Sequence, residues 1–196
     1  MKEILDRRSI RKFQERLVEK SLIEAVIQAA IKAPSAKNRQ PWRFIVVEST
    51  EERQKMYQAM AAGIERECTG KALLPNSGRH ITDAKHSLEI MKQAPVVIFV
   101  MNPKGIPPAG ERSAEEDIYQ ICNIQSIGAA IENLLLEAVS LGLGGLWICN
   151  TYFAYEELMN WLQEEGELMA AVALGYPAES PKARPRKPLE EVCCWR

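Results

Sequence analysis

Two short runs of the chain are rich in cationic side chains and could bind an anionic group. The first reads RRSIRKF and places Arg7, Arg8, Ser9 and Arg11 after a short N-terminal stretch that favours a helix. A phosphate group carries about −1.5 to −2 charges and three strong acceptor oxygens, so two or three arginine forks and one hydroxyl can satisfy it. The same spacing is also compatible with a solvated basic surface. The run therefore indicates a candidate phosphate site and leaves the alternative open.

The second basic run lies near the C-terminus and reads PKARPRK. Its cations are Lys182, Arg184, Arg186 and Lys187, and its prolines stiffen the chain between them. A disordered basic tail is the alternative interpretation. On spacing alone, neither basic run settles what it binds.

A glycine-rich run at residues 142–150, GLGGLWICN, could lie close to a flat ligand. Glycines permit close approach of the backbone, and N–H groups at the end of the following strand can donate to the ligand. The run follows a predicted helix and enters a predicted strand, which reverses the order found in the GxGxxG dinucleotide-binding motif. A glycine helix cap that leads into a strand is the alternative.

Composition argues against several other classes of function. The chain has 25 Lys and Arg against 26 Asp and Glu, a net charge of −1, which offers no general attraction for nucleic acid or an anionic membrane. His80 and His86 match no zinc-binding pattern, and no GxSxG motif of serine hydrolases occurs. The five cysteines lack a CxxC pair and follow no signal peptide, so we expect a cytoplasmic protein without a metal site or a disulfide framework.

The helices that must position these residues are predicted from apolar spacing. Residues 19–33 carry one apolar stripe, and residues 114–141 form a long helix whose second half should be deeply buried. A third helix is predicted at 50–63, ended by a glycine, and a fourth near 79–93. The run YEELMNWLQ is typical of a further helix.

Strands are predicted at WRFIVVES, APVVIFVM, the end of the glycine run, and LMAAVALGY. The continuous apolar run APVVIFVM is typical of a central strand that is covered on both faces. The eleven residues PSAKNRQPWRF at 34–44 join the first long helix to the first strand, although a short turn would suffice for that connection.

Helices and strands alternate, but the strands are few. The sequence therefore predicts an α+β fold with a central, mostly antiparallel or mixed sheet between helical layers. We expect a single domain over residues 1–196, in which residues 64–78 form a mobile excursion. The tail at 177–196 contains four prolines and too little apolar content to pack alone, so we expect it to extend over a partner subunit.

Five motifs, in their order along the chain, resemble the FMN-dependent nitroreductase family. They are RRSIRKF, APSAKNRQPWRF, APVVIFV, AAIENLLLEAVSLGLGGLWI and LGYPAESPKARPRKPLEEV, and they span nearly the whole chain. The resemblance implies a nitroreductase-like fold and a homodimer with two FMN sites at the subunit interface, each built from both chains. It also implies that the 64–78 excursion covers the substrate.

The resemblance assigns two groups of residues to the phosphate-bearing part of FMN. The first group would hold the phosphate, the ribityl chain and the pyrimidine end, and the second would complete the phosphate site. The first consists of Arg7, Arg8, Ser9 and Arg11, and the second of Lys182, Arg184 and Arg186. Two basic segments that were held together without a phosphate would repel each other, which favours one shared anion pocket.

Two further groups would contact the isoalloxazine ring. Cys149 and Asn150 match the positions next to flavin N5, where relatives frequently carry Gly-Gly or Glu-Gly. The loop that would reach the flavin of the other subunit comprises Pro34, Ser35, Ala36 and Asn38.

The chemistry implied by the resemblance needs no catalytic side chain. NADH or NADPH would reduce FMN by hydride transfer to N5, and the reduced flavin would pass electrons to a small nitroaromatic, quinone or similar acceptor in a ping-pong cycle. The same scaffold supports reductive dehalogenation, enone reduction and oxidative flavin cleavage. A non-catalytic flavin-binding redox sensor and a cofactor-free interaction module are the remaining alternatives.

Overall fold

The computed structural model of the chain describes residues 2–69, 72, 74–108 and 110–196. The α-helices are α1 (Lys2–Asp6), α2 (Lys20–Ala30), α3 (Thr50–Cys68), α4 (Ile81–Gln93), α5 (Ala114–Ser140), α6 (Tyr155–Leu162) and α7 (Leu189–Val192). The strands are β1 (Arg43–Val47), β2 (Val96–Asn102), β3 (Gly144–Ile148) and β4 (Glu167–Gly175). Short 3₁₀ turns cover Ala36–Asn38, Pro75–His80 and Asn150–Ala154.

These strands form one sheet in the order β1–β2–β4–β3, and each neighbouring pair is antiparallel. The predicted α+β fold is confirmed. The sheet was predicted to be mostly antiparallel or mixed, and all three of its strand pairs are antiparallel. An isolated parallel bridge between Ser9 and Gly145 places the N-terminal segment beside the outer edge of β3. The apolar run that predicted a central strand is β2, which lies between β1 and β4.

The two faces of β2 pack against different helical layers. Val97, Phe99 and Met101 belong to the core cluster shared with α3, α4 and α6, whereas their alternating neighbours belong to the cluster shared with α2 and α5. Every residue of β2 is buried. Full burial of a side chain such as Phe99 contributes roughly 1.5–3 kcal/mol, so this strand is a main source of stability.

Helix α5 is the longest helix of the described chain, and its two halves differ in how far they are buried. It begins with a capping box in which the Ser113 N–H donates to the Glu116 carboxylate at 2.8 Å and the Glu116 N–H donates to Ser113 Oγ at 3.3 Å. Its second half is buried, as the sequence predicted. Its first half leaves Ile118, Ile121 and Ile124 exposed by 60%, 56% and 45%. An apolar stripe on α5 is thus uncovered in the single chain.

The prediction that Gly63 ends a helix is wrong, because α3 continues to Cys68. Gly63 is buried inside that helix, and a Cβ at this position would lie 2.3 Å from Ala154 Cα. The glycine therefore permits α3 to pack tightly on the turn at Asn150–Ala154. It is a contact residue rather than a helix terminator.

The predicted excursion at 64–78 is partly regular structure. Residues 64–68 belong to α3, and a 3₁₀ turn begins at residue 75, while residues 70, 71 and 73 lie outside the described residues. The substrate-covering role of this segment stays a prediction.

The C-terminal tail exposes its apolar side chains in the single chain. Leu189, Val192 and Trp195 are exposed by 61%, 64% and 86%. Its placement over a partner subunit stays a prediction. Within the described ranges, none of the helices combines the length and the apolar content that crossing a bilayer requires.

Candidate functional site

The start of the chain and the tail that follows β4 are held side by side by backbone hydrogen bonds. The Gln14 N–H donates to the Tyr176 carbonyl at 2.9 Å, and the Ala178 N–H donates to the Lys12 carbonyl at 2.9 Å. These bonds continue the sheet geometry beyond β4, so the two segments run next to each other. The two basic runs that flank these bonds are consequently neighbours in space.

The glycine run provides the surface on which the N-terminal segment packs. The Ile10 N–H donates to the Gly145 carbonyl at 3.1 Å, and a Cβ added to Gly144 would lie 2.6 Å from Ile10 Cγ1. A larger residue at Gly144 would push this segment away from β3. Gly144 thus permits close packing of two chain segments, a role that neither the ligand interpretation nor the helix-cap alternative had assigned to it.

Glu179 fixes the tail to the first basic run. Its Oε1 atom accepts the N–H of Arg11 at 2.5 Å and the N–H of Lys12 at 3.2 Å. A carboxylate that accepts two backbone N–H groups makes charge-assisted bonds, which are stronger than neutral ones. The bonds set the position at which residues 181–186 pass the N-terminal segment.

The clamped segments enclose a cavity of about 300 Å³. Its walls carry cations from both ends of the chain, and none of the described residues that line it is a carboxylate. The polar and charged lining residues are Arg7, Arg8, Ser9, Arg11, Lys182, Arg184 and Arg186. The structure therefore brings together both basic groups that the sequence analysis assigned to one phosphate site.

The cations of this basic cavity are held in place but poorly neutralised. Arg8 Nη1 donates to the carbonyls of Leu5 at 2.6 Å and of Arg7 at 2.8 Å, which orients its guanidinium. Arg7 Nε lies 3.3 Å from the Glu132 carboxylate, and within the described chain this is the one ion pair between a cavity cation and a carboxylate. Several positive charges in one concavity repel each other unless an anion lies among them. The donor set suits a phosphate and so fits the phosphate end of FMN.

Cys149 and Asn150 follow the last residue of β3. Asn150 Nδ2 donates to Ser87 Oγ on α4 at 3.0 Å, which fixes the asparagine side chain toward α4. Desolvation by neighbouring atoms raises the pKa of the Cys149 thiol, although the residue itself is exposed, so the thiol is protonated at neutral pH and is a poor nucleophile. The basic cavity begins at Ser9, beside Gly145, and Cys149 lies four residue steps further along the chain than Gly145, roughly 13 Å away. An elongated cofactor could contact both places.

The loop at residues 34–38 is fixed on α5 by polar contacts. The Ala36 N–H donates to Ser126 Oγ at 3.3 Å, and the Gln40 N–H donates to Ser35 Oγ at 3.0 Å. The loop also contains left-handed backbone, with φ of 54° at Lys37 and 52° at Asn38. Side-chain oxygens add to backbone turn bonds, in which the Asn38 N–H donates to the Ser35 carbonyl at 3.0 Å and the Arg39 N–H to the Ala36 carbonyl at 3.2 Å, so the loop keeps a defined shape.

This loop is separate from the basic cavity of its own chain. Pro34, Ser35, Ala36 and Asn38 do not line that cavity, and the loop leads into β1, whereas residues 149–150 follow β3. β1 and β3 are opposite edge strands, three strand spacings or about 14 Å apart. The structure therefore brings the two basic groups together and leaves the loop residues elsewhere in the chain.

The sequence profile of the nitroreductase family matches residues 4–176. The chain belongs to the nitroreductase family. Among curated proteins, a candidate NADH dehydrogenase/NAD(P)H nitroreductase of Archaeoglobus fulgidus is 31% identical over 185 residues, which cover 91% of this chain and 86% of that protein.

Solved structures of nitroreductase-type proteins share the fold. A BluB-like flavoprotein from Clostridium difficile 630 superposes with a TM-score of 0.82 at 31% identity and covers 100% of this chain and 97% of its own. A candidate nitroreductase from Desulfovibrio desulfuricans, solved in complex with FMN, has a TM-score of 0.73 at 25% identity, with 100% and 95% covered. The family resemblance inferred from the sequence is confirmed.

Three residues that support the candidate site were missed by the sequence analysis. Glu179, Ser126 and Ser87 contact site residues that are 168, 90 and 63 positions away in the chain. No local spacing connects residues at such separations. The one available signal was the presence of an acid, Glu179, just before a run of cations.

The described residues also include no cluster of metal-ligating side chains.

Proposed function

We propose that the protein is an FMN-dependent oxidoreductase that uses NADH or NADPH to reduce small acceptors such as nitroaromatic compounds and quinones. Membership of the nitroreductase family makes it an oxidoreductase. The names of its relatives support a nicotinamide donor, and the FMN complex of the Desulfovibrio protein supports the flavin.

One observation carries the cofactor assignment. Six cations from two segments at opposite ends of the chain line one cavity without a lining carboxylate, and Glu179 clamps those segments together. A phosphate group supplies the charge and the acceptor oxygens that this arrangement lacks. FMN carries such a phosphate at one end.

Bound FMN would supply the two-electron chemistry by taking a hydride from NAD(P)H and delivering two electrons to the acceptor. The protein itself would bind the cofactor and orient its flavin ring. Arg7, Arg8 and Arg184 would hold the phosphate, and the backbone N–H groups of Cys149 and Asn150 would face the flavin ring near N5. Because both substrates would use the same position in turn, the proposal predicts ping-pong kinetics.

For a nitro acceptor the overall reaction is R–NO₂ + NAD(P)H + H⁺ → R–NO + NAD(P)⁺ + H₂O. Two electrons pass from the nicotinamide to the nitro group, one N–O bond breaks, and the released oxygen leaves as water. No side chain of the site needs to form a covalent bond to either substrate. The protonated thiol of Cys149 is a poor nucleophile, which agrees with a reaction that needs no covalent bond between protein and substrate.

We further propose that the working form is a cytoplasmic homodimer with FMN sites between the subunits. The exposed stripe of Ile118, Ile121 and Ile124 on α5 supports a partner surface, as do the exposed apolar side chains of the tail. The separation of residues 34–38 from the basic cavity of the same chain also supports a loop that serves the partner's flavin. Asn38 is the residue of that loop that would reach the ring.

The test is an absorbance spectrum of the purified protein followed by anaerobic titration with NADH and with NADPH. The proposal predicts oxidised-flavin bands that bleach on addition of at least one nicotinamide and return on addition of an acceptor. A protein that binds flavin but is not bleached by either nicotinamide would be a redox sensor or another flavin protein. A protein without flavin bands, even after incubation with FMN, would contradict the cofactor assignment.

A further inference from the structure

A second cavity of about 580 Å³ lies at the other end of the site region. It is bounded by residues 39–41, by the turn that follows β2 and by the exposed half of α5. It shares no lining residue with the basic cavity. The volume is sufficient for a small aromatic molecule.

The rim of this second cavity is cationic. The Arg39 guanidinium lies 4.0 Å from the centroid of the Tyr119 ring, and this cation–π contact holds it at the wall. Lys104, in the turn that follows β2, is a second cation of the lining, and neither cation pairs with a carboxylate within the described chain. Among the described lining residues the one acid is Glu116, whose carboxylate accepts the N–H and the hydroxyl of Ser113 at 2.8 and 2.9 Å. That acid is engaged in capping α5, and the rim carries a net positive charge.

The floor of the second cavity is polar and fixed. Gln120 accepts a hydrogen bond from Asn102 Nδ2 at 3.3 Å and donates one to the Glu167 carboxylate. Asn102 is 0% exposed and Glu167 is 4% exposed, so the amide of Gln120 is held from below by groups that cannot move into solvent. The walls also include Pro41, Pro103 and Tyr119, which offer flat apolar surfaces. This lining suits a planar ligand with one anionic group at the rim.

The second cavity begins directly after the loop that is proposed to reach the partner's flavin. Gln40 donates from Nε2 to Asn38 Oδ1 at 3.3 Å and from its backbone to Ser35 Oγ at 3.0 Å, so hydrogen bonds join the rim to the loop. A ligand in the cavity would therefore lie next to any flavin that Asn38 contacts.

We propose that this cavity is the subsite for the electron acceptor and that it selects planar acceptors that carry a carboxylate. The inference rests on the proposed FMN-dependent function, because it assigns a substrate class to that same site. The representative reaction is the two-electron reduction of 4-nitrobenzoate by NAD(P)H and one proton to 4-nitrosobenzoate and water.

The test compares 4-nitrobenzoate with the nearly isosteric neutral compound 4-nitrobenzamide. The two differ in intrinsic reactivity, so the informative quantity is how a substitution changes the ratio of their kcat/KM values. We expect Arg39→Gln to lower the benzoate-to-benzamide ratio by roughly tenfold, because the variant loses a hydrogen bond to the charged carboxylate. Lys104→Gln is expected to lower it by about threefold, because the flexible exposed lysine holds the carboxylate less tightly.

Three measurements separate this effect from damage to the rest of the site. FMN content is expected to stay as in the wild type in both variants, because neither residue lines the basic cavity. The rate of flavin reduction by NADH is measured separately, because NADH would occupy the same position as the acceptor, and in a ping-pong cycle that rate does not enter kcat/KM for the acceptor. Lys20→Gln makes the same change in net charge away from both cavities and is expected to leave the ratio unchanged.

The outcomes distinguish the subsite from the function on which it rests. An unchanged ratio in the Arg39→Gln, Lys104→Gln double variant, with normal FMN content, would overturn the subsite and leave the proposed function standing. Absence of turnover with both compounds in flavin-loaded wild type would overturn both. A ratio that falls in the double variant and not in Lys20→Gln supports the assignment.

Discussion

The carboxylate of Glu179 accepts the backbone N–H of Arg11 at 2.5 Å and so joins two basic segments that are 168 residues apart in the chain. Glu179→Ala removes this acceptor and the second bond to Lys12. We expect it to weaken FMN binding by roughly 1–2 kcal/mol, about five- to thirtyfold in Kd, because the tail no longer holds its position beside the N-terminal segment. Fluorescence titration of apoprotein with FMN measures the change.

Glu179→Gln separates position from charge at this site. The glutamine keeps an acceptor oxygen for the Arg11 N–H and removes a negative charge close to the phosphate pocket. We therefore expect Glu179→Gln to bind FMN at least as tightly as Glu179→Ala does, and close to wild type. Equal FMN affinity in wild type and Glu179→Ala would show that the clamp has no part in forming the cavity.

Gly63→Ala tests the close contact between α3 and the turn at Asn150–Ala154. The new Cβ would lie 2.3 Å from Ala154 Cα, which is backbone and cannot move aside cheaply. We expect the free energy of unfolding in urea to fall by about 2–3 kcal/mol. Gly78→Ala is the matched control, because its Cβ would meet nothing within 4 Å, and it is expected to change stability by less than about 0.5 kcal/mol.

Glu167 should make stability depend on pH in the direction opposite to that of a paired surface acid. Burial raises the pKa of this carboxyl, so the folded state holds its proton more tightly than the unfolded state does. The free energy of unfolding contributed by this group is then highest below the ordinary carboxyl pKa and falls as pH rises through the raised pKa.

Glu167→Gln removes that dependence while it keeps an acceptor for Gln120. We expect the variant to unfold at higher urea concentration than wild type at pH 8 and at nearly the same concentration near pH 4. Glu115→Gln on the exposed start of α5 serves as a control for the loss of one acid. A Glu167→Gln protein that is less stable than wild type at pH 8 would show that the charged form is favoured in the folded state.

Ile121→Glu tests the proposed subunit surface. Ile121 is 56% exposed in the single chain, at the centre of the stripe on α5. If this stripe is covered by a partner, a charge there is buried without a counterion, and we expect a shift from dimer to monomer in sedimentation velocity together with loss of bound flavin. Ile121→Leu keeps the apolar surface and should remain dimeric. A wild-type protein that is monomeric at micromolar concentration would contradict the dimer proposal directly.

Much of the fold follows from patterns that are local in the sequence. The continuous apolar run that became β2 and the periodic residues of α5 specify their own burial, because period and polarity determine which face an element presents. The misassigned end of α3 shows the limit of such rules. Considered alone, Gly63 predicts the end of a helix, but its role depends on Ala154, which lies 91 positions later.

The charged residues of the site could be predicted from the sequence, whereas the residues that hold them in place could not. Arg7 and Arg184 could be paired because the chemistry of phosphate requires several cations and the family motif supplies their order. The clamp by Glu179 and the fixation of Asn150 by Ser87 depend on the final packing of the tail and of α4. The cavity near Arg39 and Lys104 likewise arises only when the β2 turn meets α5.

The two basic segments are proposed to form one phosphate site for FMN. The most direct measurement compares the affinity of the apoprotein for FMN with that for riboflavin, which lacks the phosphate, in wild type and in Arg184→Ala. We expect wild type to bind FMN at least a hundredfold more tightly than riboflavin, since several charge-assisted bonds to the phosphate contribute roughly 1.5–3 kcal/mol each. Arg184→Ala should purify largely colourless and lose most of that difference. Equal affinity of wild type for the two flavins, or full flavin occupancy in Arg184→Ala, would contradict the claim.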